Sequence, residues 1–235
     1  TNEYDLGMIF TIPIGQEANA FDRLVVGGTY QNTLINLNTG NPSTISNQVN
    51  TYVTNHGRRF QEGDLRVGLT RDSRDRAMFP TSGSVQTLFL DGYVPLAKDS
   101  VFFYTANYHA KLYQPIHGPF IFVTRGDLGY ANAFDGTRNY PFFRNYFTGG
   151  IDSVRGYQGF SLGPLDSNGK SYGGNMLFDG SLGVIFPNYV SENLRTTWFV
   201  DGGNVYSSLN NRTFGGSSTN TGPLRFSSGI EADWL

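Results

Sequence analysis

The chain has 235 residues, and its 17 Lys and Arg nearly balance its 19 Asp and Glu, giving a net charge of −2. This balance offers no electrostatic case for binding nucleic acid. The absence of cysteine excludes disulfides, cysteine–zinc sites and thiol catalysis. No stretch approaches the roughly 18 apolar residues of a membrane helix, so a helical membrane protein is excluded.

Apolar and polar residues alternate along much of the chain, which is the period of a β-strand. Aromatic residues make up 15% of the sequence, and its 30 glycines disfavour helices. The pattern predicts nine strands separated by segments rich in Gly, Asn and Ser. The predicted strands are 3–12, 21–37, 64–73, 84–94, 101–113, 119–130, 175–186, 194–204 and 224–234.

Such alternation fits a membrane barrel with apolar side chains facing lipid, and equally a soluble β-sandwich with apolar side chains facing a core. The barrel is favoured because several runs reach at least the roughly 9–11 residues that a tilted strand needs to cross a bilayer. Short and long connections also sort to opposite ends. Aromatic residues near strand ends predict interfacial girdles, namely Tyr4, Tyr93, Tyr113, Tyr130, Tyr206 and Trp234. The predicted fold is an all-β, antiparallel up-and-down transmembrane barrel.

Residues 41–57 break the strand pattern. Asn41 suits a helix N-cap, Pro42 suits the first helical position, and Gly57 suits the stop. We expect a short helix on the rim, with an irregular loop as the alternative. Its apolar face consists of Ile45, Val49, Tyr52 and Val53.

Ionisable residues on the polar faces of the strands are expected to form a solvated network that fills the barrel interior. They include Arg66, Arg125, Asp127, Arg225, Glu231 and Asp233. The histidines His56, His109 and His117 lack metal-ligand spacing, and no nucleophile, Walker or dinucleotide motif occurs. We therefore predict no cofactor, no metal and no catalytic residue.

Two segments carry more specific information. One is a charged connection, Asp72 to Gly83, that contains Phe79-Pro80-Thr81-x-Gly83. The other runs from Phe147 through Gly149-Gly150 to Val154-Arg155-Gly156-Tyr157. Both resemble the Omp85 superfamily, and the order of their surroundings is similar to its outer-membrane assembly factors.

The resemblance covers essentially all of residues 1–235 and implies a partial β-barrel domain. About nine strands of a roughly sixteen-stranded barrel are expected, without the periplasmic POTRA domains and the remaining strands. Residues 131–174 correspond to a long extracellular loop that folds into the lumen. An odd number of strands agrees with a fragment, because bacterial single-chain barrels have even numbers.

In the family, the Val154-to-Tyr157 tetrad lies at the tip of this loop, so Arg155 is the main candidate. A guanidinium inside a barrel needs carboxylate partners. Asp201 matches the wall aspartate that holds this arginine in the family. The family often adds a glutamate on the preceding strand, where this chain has Gly183. Asp179 is the substitute that we consider, while Gly149 and Gly150 let the loop bend.

The resemblance further implies a non-enzymatic assembly factor that folds and inserts β-barrel proteins into the Gram-negative outer membrane. Expected partners are the outer-membrane bilayer, unfolded β-barrel clients, and lipoproteins of the assembly complex reached through the POTRA domains. One alternative is an Omp85-type translocation pore, of two-partner secretion or autotransporter assembly. A soluble β-sandwich binding module is a less favoured alternative.

Overall fold

The computed structural model describes residues 1–15, 21–37, 45–134, 140–187, 194–207 and 222–234. Within these ranges, nine antiparallel strands form one sheet, and each strand pairs with the next in the chain. The strands are β1 (Asn2–Ile14), β2 (Phe21–Leu34), β3 (Arg59–Asp72), β4 (Gly83–Pro95), β5 (Phe103–Pro115), β6 (Ile121–Ala133), β7 (Met176–Phe186), β8 (Leu194–Tyr206) and β9 (Arg225–Trp234). The prediction of nine strands in up-and-down order is confirmed.

Strand β3 begins at Arg59, well before the predicted start at position 64. Its first residues are polar or charged, which is typical of a loop. Phe60 and Glu62 nevertheless have the parity of the inner face, where they are 0% and 1% exposed. The strand extends this far because other parts of the chain cover these inward side chains.

The sheet has two different ends. Residues 15–20, 73–82, 116–120 and 187–193 connect strands at one end, which we call the short-connection end. The strands joined at the other end, which we call the long-connection end, are separated in sequence by residues 35–58, 96–102, 134–175 and 207–224. The predicted sorting of connections is therefore present, with 96–102 as the short exception on its side.

The outer face of the sheet is apolar and uncovered. Leu6 on β1 is 78% exposed, Leu65 on β3 is 62% exposed, and Ile230 on β9 is 74% exposed. Within the described ranges no second sheet covers this face. The β-sandwich alternative is wrong, because a sandwich buries the face that is exposed here.

The inner face carries buried charge instead. Glu62, Asp64, Asp91, Asp179 and Asp201 project from it and are each less than 5% exposed. Side chains on distant strands also meet across this face: Arg195 on β8 donates to the carbonyl of Pro80, between β3 and β4. The sheet therefore curves around an interior that its polar face lines.

Two of the predicted girdle residues belong to this interior. Tyr93 and Tyr113 are each only 6% exposed, whereas Tyr4 is 68% and Trp234 is 69% exposed. Tyr93 has the parity of Asp91, so it must share the inner face with that carboxylate. For Tyr93 and Tyr113 the girdle prediction is wrong, because nearness to a strand end does not reveal which face a residue occupies.

The helix α1 (Asn47–His56) is shorter than predicted. Its N-cap is Ser46, whose hydroxyl accepts a hydrogen bond from the Val49 amide. Asn41 and Pro42 lie outside the described residues. Gly57 ends the helix as predicted, with φ of 81° and its amide bonded to the Val53 carbonyl.

Helix α1 covers the long-connection end of the interior. Tyr52 and Val53 are buried against Phe60 and against Phe142 and Phe143 of the connection between β6 and β7. A second buried cluster lies nearby and contains Tyr93, Val101, Phe103, Ala131 and Tyr140. In the part of the chain that the structure describes, no helix is long and apolar enough to cross a membrane.

Candidate functional site

The segment between β6 and β7 returns along the inner face of the sheet, and we call its described part, residues 140–174, the returning loop. Isolated bridges join Tyr146 to Gly174 and Thr148 to Leu162, so the loop is a compact, folded-back structure. Gly149 has φ of 104°, and a Cβ there would lie 2.8 Å from the Gln158 carbonyl oxygen. Glycine is required at this bend for close approach as well as for positive φ.

Residues 154–157 of the returning loop, which we call the loop tip, contact the inner face of the sheet. Arg155 donates from Nε to Asp201 Oδ2 and from Nη2 to Asp201 Oδ1, both at 2.7 Å. Its backbone amide also donates to Asp201 Oδ2, at 3.0 Å. Asp201 is 0% exposed. A bidentate charge-assisted pair in a buried setting is among the stronger polar contacts a protein makes.

Three further groups surround the guanidinium of Arg155. Nη1 donates to Glu231 Oε2 at 2.6 Å, and Nη2 donates to Ser181 Oγ at 2.9 Å. The Phe199 ring centroid lies 3.4 Å from Cζ, within cation–π range. Burial lowers the pKa of Arg155, but the hydrogen bonds and charges of Asp201 and Glu231 outweigh burial and raise it. One arginine thus connects the loop tip to β7, β8 and β9.

The other tip residues fit the same wall. Val154 is fully buried and packs over Gly203, where an added Cβ would lie 2.9 Å from Val154 Cγ2. Gly156 has φ of 87°. The Tyr157 hydroxyl donates to the Phe226 carbonyl over 3.2 Å. The predicted contact of Arg155 with Asp201 is therefore part of a continuous contact along β8 and β9.

Asp179 holds the loop through different partners from those predicted. Its Oδ2 accepts a hydrogen bond from Thr148 Oγ1 of the loop at 3.0 Å. Its Oδ1 pairs with Arg125 Nη2 at 3.1 Å, and Arg125 also donates to the loop carbonyls of Asp152 and Ser153. The considered pairing of Asp179 with Arg155 is wrong, because Arg125, on the adjacent strand β6, is the arginine that meets this carboxylate.

A second arginine of the loop contacts the opposite part of the sheet. Arg144 Nη2 lies 2.7 Å from Glu3 Oε1 on β1 and 2.5 Å from Gln31 Oε1 on β2. It is 3.9 Å from Glu62 Oε2 on β3. Within the described residues, the Glu62 carboxylate accepts no hydrogen bond, so Arg144 is the cation that faces this buried charge. Arg144 gave no signal in the sequence, since it lies in no recognised motif.

The connection between β3 and β4 contains the other sequence motif. Phe79 has φ of 49°, and Gly83 has φ of 92°. A Cβ on Gly83 would lie 2.1 Å from the Ser73 carbonyl oxygen, which excludes any other residue without rearrangement. Thr81 donates its amide and its hydroxyl to the Asp75 carboxylate, at 2.8 and 2.7 Å. Pro80 accepts from Arg195 at 2.6 Å.

Several residues of the predicted solvated network are paired. Arg66 binds Asp91, and His109 binds Asp127. Glu231 belongs to the Arg155 site instead of a general network. The signal that points to it is its inner-face position on β9, the strand that pairs with the strand of Asp201. The described residues contain no group of three or more His, Cys, Asp or Glu side chains placed to hold a metal.

A family model described as the Omp85 superfamily domain matches residues 1–235. The chain belongs to the Omp85 superfamily. It is 31% identical over 193 residues to the outer membrane protein assembly factor BamA of Neisseria meningitidis serogroup B, covering 72% of this chain and 24% of that protein. It is 30% identical over 149 residues to the BamA of Nitratidesulfovibrio vulgaris, covering 60% of this chain and 18% of that protein.

The fold resembles a solved Omp85 structure as well. The crystal structure of BamA from Haemophilus ducreyi lacking POTRA domains 1–3 superimposes with a TM-score of 0.73 at 26% identity. The match covers 99% of this chain and 48% of that one. The chain thus spans less than half the length of each of these relatives. It forms part of an up-and-down β-barrel in the outer membrane of a Gram-negative bacterium.

Gly183, where the resemblance implies a glutamate, lies in a tightly packed position. At Gly183, an added Cβ would lie 3.0 Å from both the Trp198 carbonyl oxygen and Val123 Cγ1. A glutamate in this backbone position would need its neighbours to move. The resemblance implies a second acid on the strand before Asp201; in this chain the second acid that Arg155 contacts is Glu231, on the strand after it.

Proposed function

We propose that this chain is the barrel part of an outer-membrane protein assembly factor, which folds β-barrel proteins and inserts them into the Gram-negative outer membrane. The observation that carries the proposal is the Arg155 loop tip, bound to Asp201 inside an Omp85 barrel. Two relatives with named functions, both called BamA, support the same role.

In this proposal the described strands supply a fixed wall, and residues 131–174 form the extracellular loop that fills the lumen. The loop contacts β1, β2 and β3 through Arg144, and β7, β8 and β9 through Arg155. Client strands are added by backbone hydrogen bonding at a sheet edge, which gives affinity without demanding one client sequence. The role of the loop is to hold the curvature of the sheet while client strands pair at such an edge.

The partners follow from the two faces of the sheet and from the family. The exposed apolar outer face contacts the lipid bilayer. Unfolded β-barrel proteins are the clients, and lipoproteins of the assembly complex bind through POTRA domains elsewhere in the full-length protein. The activity requires no cofactor and involves no bond-making chemistry, so the protein is not an enzyme.

The test uses the full-length protein in lipid vesicles, with an unfolded outer-membrane protein as client. The folding rate of the client is followed by its shift in gel mobility without heating. We expect the protein to accelerate folding and Arg155→Ala to reduce the acceleration about tenfold, the effect of about 1.4 kcal/mol on a rate. Arg59→Ala is the control, because Arg59 is exposed and its side-chain hydrogen bond is to Asn32 rather than the loop.

A translocation pore remains the competing function for an Omp85 barrel. The relatives reported above are named as assembly factors, so they do not favour it. In the same vesicles a pore would release an unfolded substrate into the interior instead of leaving it inserted. Protease protection without a gel shift would contradict the assembly proposal.

A further inference from the structure

The segment of residues 73–82, which we call the 73–82 turn, has its own internal structure. Asp75 accepts hydrogen bonds from Thr81 and from the Ser82 amide, the latter at 3.1 Å. Ser73 bonds to Ser84 through backbone and side chain. Because these bonds lie within the turn and its base, they fix its shape without fixing its direction relative to the rest of the barrel.

The turn is attached to the far wall through Arg195. The guanidinium Cζ lies 4.7 Å from the Phe79 ring centroid, and Nη2 donates to the Pro80 carbonyl over 2.6 Å. Arg195 projects from β8, and three strands, β5, β6 and β7, separate β8 from β4. The turn therefore reaches inward across the short-connection end of the interior.

Arg195 also lines a polar cavity of about 240 Å³. Arg155 and Phe199 of the loop site line the same cavity, together with Tyr113 of β5. Along β8, Arg195 precedes Asp201 by six residues (201 − 195 = 6), roughly 20 Å of extended strand. The returning loop and the 73–82 turn thus contact β8 at two heights, with the cavity between them.

Phe79 marks the turn as strained. Its φ of 49° lies in the left-handed region, which is unfavourable for a non-glycine residue. This conformation places the ring under the Arg195 guanidinium. Strain of this kind persists where surrounding contacts hold it, and here Arg195 provides contacts to both Phe79 and Pro80.

We propose that the 73–82 turn is a latch across the short-connection end of the barrel interior, and that Arg195 is the residue that holds it closed. When Arg195 releases Phe79 and Pro80, the turn swings away from β8 as one preformed unit. The interior then opens at this end while the loop tip stays bound to Asp201. This device goes beyond the proposed assembly function and does not depend on it.

The test is a distance measurement between spin labels in the full-length protein in lipid vesicles. Labels are attached at Met78→Cys, 61% exposed on the turn, and at Ala232→Cys, exposed on the outer face of β9. Within the 235 residues these two cysteines are the only ones, because the natural sequence contains none. We expect a single narrow distance with Arg195 present, and a broader, longer distribution with Arg195→Gln.

Matched variants separate the latch from general damage. Phe79→Leu removes the ring that stacks on Arg195 and is expected to lengthen the label distance as Arg195→Gln does. In the double variant, the distance is expected to be no longer than in Arg195→Gln alone. Arg225→Gln, an inner-face arginine at the opposite end of β9, is expected to leave the distance unchanged. If Arg195→Gln fails to show the gel shift of a folded barrel, the label distances in Arg195→Lys and Phe79→Leu test the proposal in its place. Unchanged distances in the folded variants would overturn the proposal, whatever the outcome of the client-folding assay.

Discussion

The guanidinium of Arg155 forms two parallel hydrogen bonds with the carboxylate of Asp201, each 2.7 Å long. The backbone amide of Arg155 donates to the same carboxylate, so Asp201 fixes both the side chain and the main chain of the loop tip. A lysine could replace the charge but not this planar geometry. The arrangement explains why an arginine is suited to this position.

Breaking this pair should be costly. We expect Arg155→Ala and Asp201→Asn each to lower the free energy of unfolding by about 3 kcal/mol, because either change leaves a buried polar partner unmatched. The double variant should lose about 1–3 kcal/mol less than the sum, since the residues interact directly. Urea unfolding of the folded protein in lipid, followed by gel shift, measures all three. Additive losses would show that the pair is not coupled.

Glu231 should contribute less than Asp201. It is the second acid on Arg155, but its side chain is 32% exposed, whereas that of Asp201 is 0% exposed. We expect Glu231→Gln to cost about 1 kcal/mol of unfolding free energy. Asp233→Asn, on the same face of β9, is the matched control and should cost less than half of that. Equal losses in the two variants would mean that Arg155 does not use Glu231.

The Arg144 contacts predict a rescue. Arg144→Gln removes the cation that faces the buried Glu62 carboxylate, so we expect a loss of about 2–3 kcal/mol. Adding Glu62→Gln removes the uncompensated charge and should restore part of that loss. Unfolding in urea is the measurement. If Glu62→Gln makes Arg144→Gln less stable still, the buried charge is not what Arg144 compensates.

Gly83 and Gly92 on β4 provide a matched pair of substitutions. Gly83 has φ of 92°, and its Cβ would lie 2.1 Å from the Ser73 carbonyl oxygen. For Gly92, no atom lies within 4 Å of the Cβ position. We expect Gly83→Ala to cost about 2 kcal/mol or more, and Gly92→Ala less than about 0.5 kcal/mol. Thermal midpoints of the two variants test this, and similar midpoints would argue against a strained turn.

The 73–82 turn should lose order in acid. Burial raises the pKa of Asp75, but hydrogen bonds from Thr81 and Ser82 outweigh it, and the pKa falls to about 2. A carboxyl group with a lowered pKa contributes stability that is fully present above its ordinary pKa near 4. That stability is lost as the pH falls through about 2, where the carboxylate takes up a proton. We expect hydrogen-exchange protection of the Thr81 and Ser82 amides to decrease from pH 5 to 2, after correction for intrinsic rates. Asp75→Asn should show lower protection at pH 5 and no such dependence.

Much of the wall could be predicted because strand parity carries the information. Asp201 and Trp198 differ in parity on β8, and the structure places the first at 0% and the second at 45% exposure. Parity alone also places Glu231 and Asp179 on the inner face. It does not indicate which carboxylate meets which arginine, because that choice depends on the depth that the returning loop reaches.

The features that could not be predicted depend on contacts between distant parts of the chain. Arg144 meets Glu3 and Arg195 meets Pro80 only once the sheet has curved and the connections have folded inward. Parity gives the inward direction of Tyr93, but its burial has the same distant origin, since it packs in a cluster with Tyr140 and other residues of the long-connection end. No local pattern encodes these pairings.

The two arginines of the returning loop have a consequence for the width of the interior. Arg144 and Arg155 are eleven residues apart (155 − 144 = 11), and they bind opposite parts of the wall. The stretch of backbone between them sets how far apart these two contacts can be. Deleting residues from it would detach one arginine or draw the two parts of the wall together, so the length of this stretch limits the width of interior that the loop can bridge.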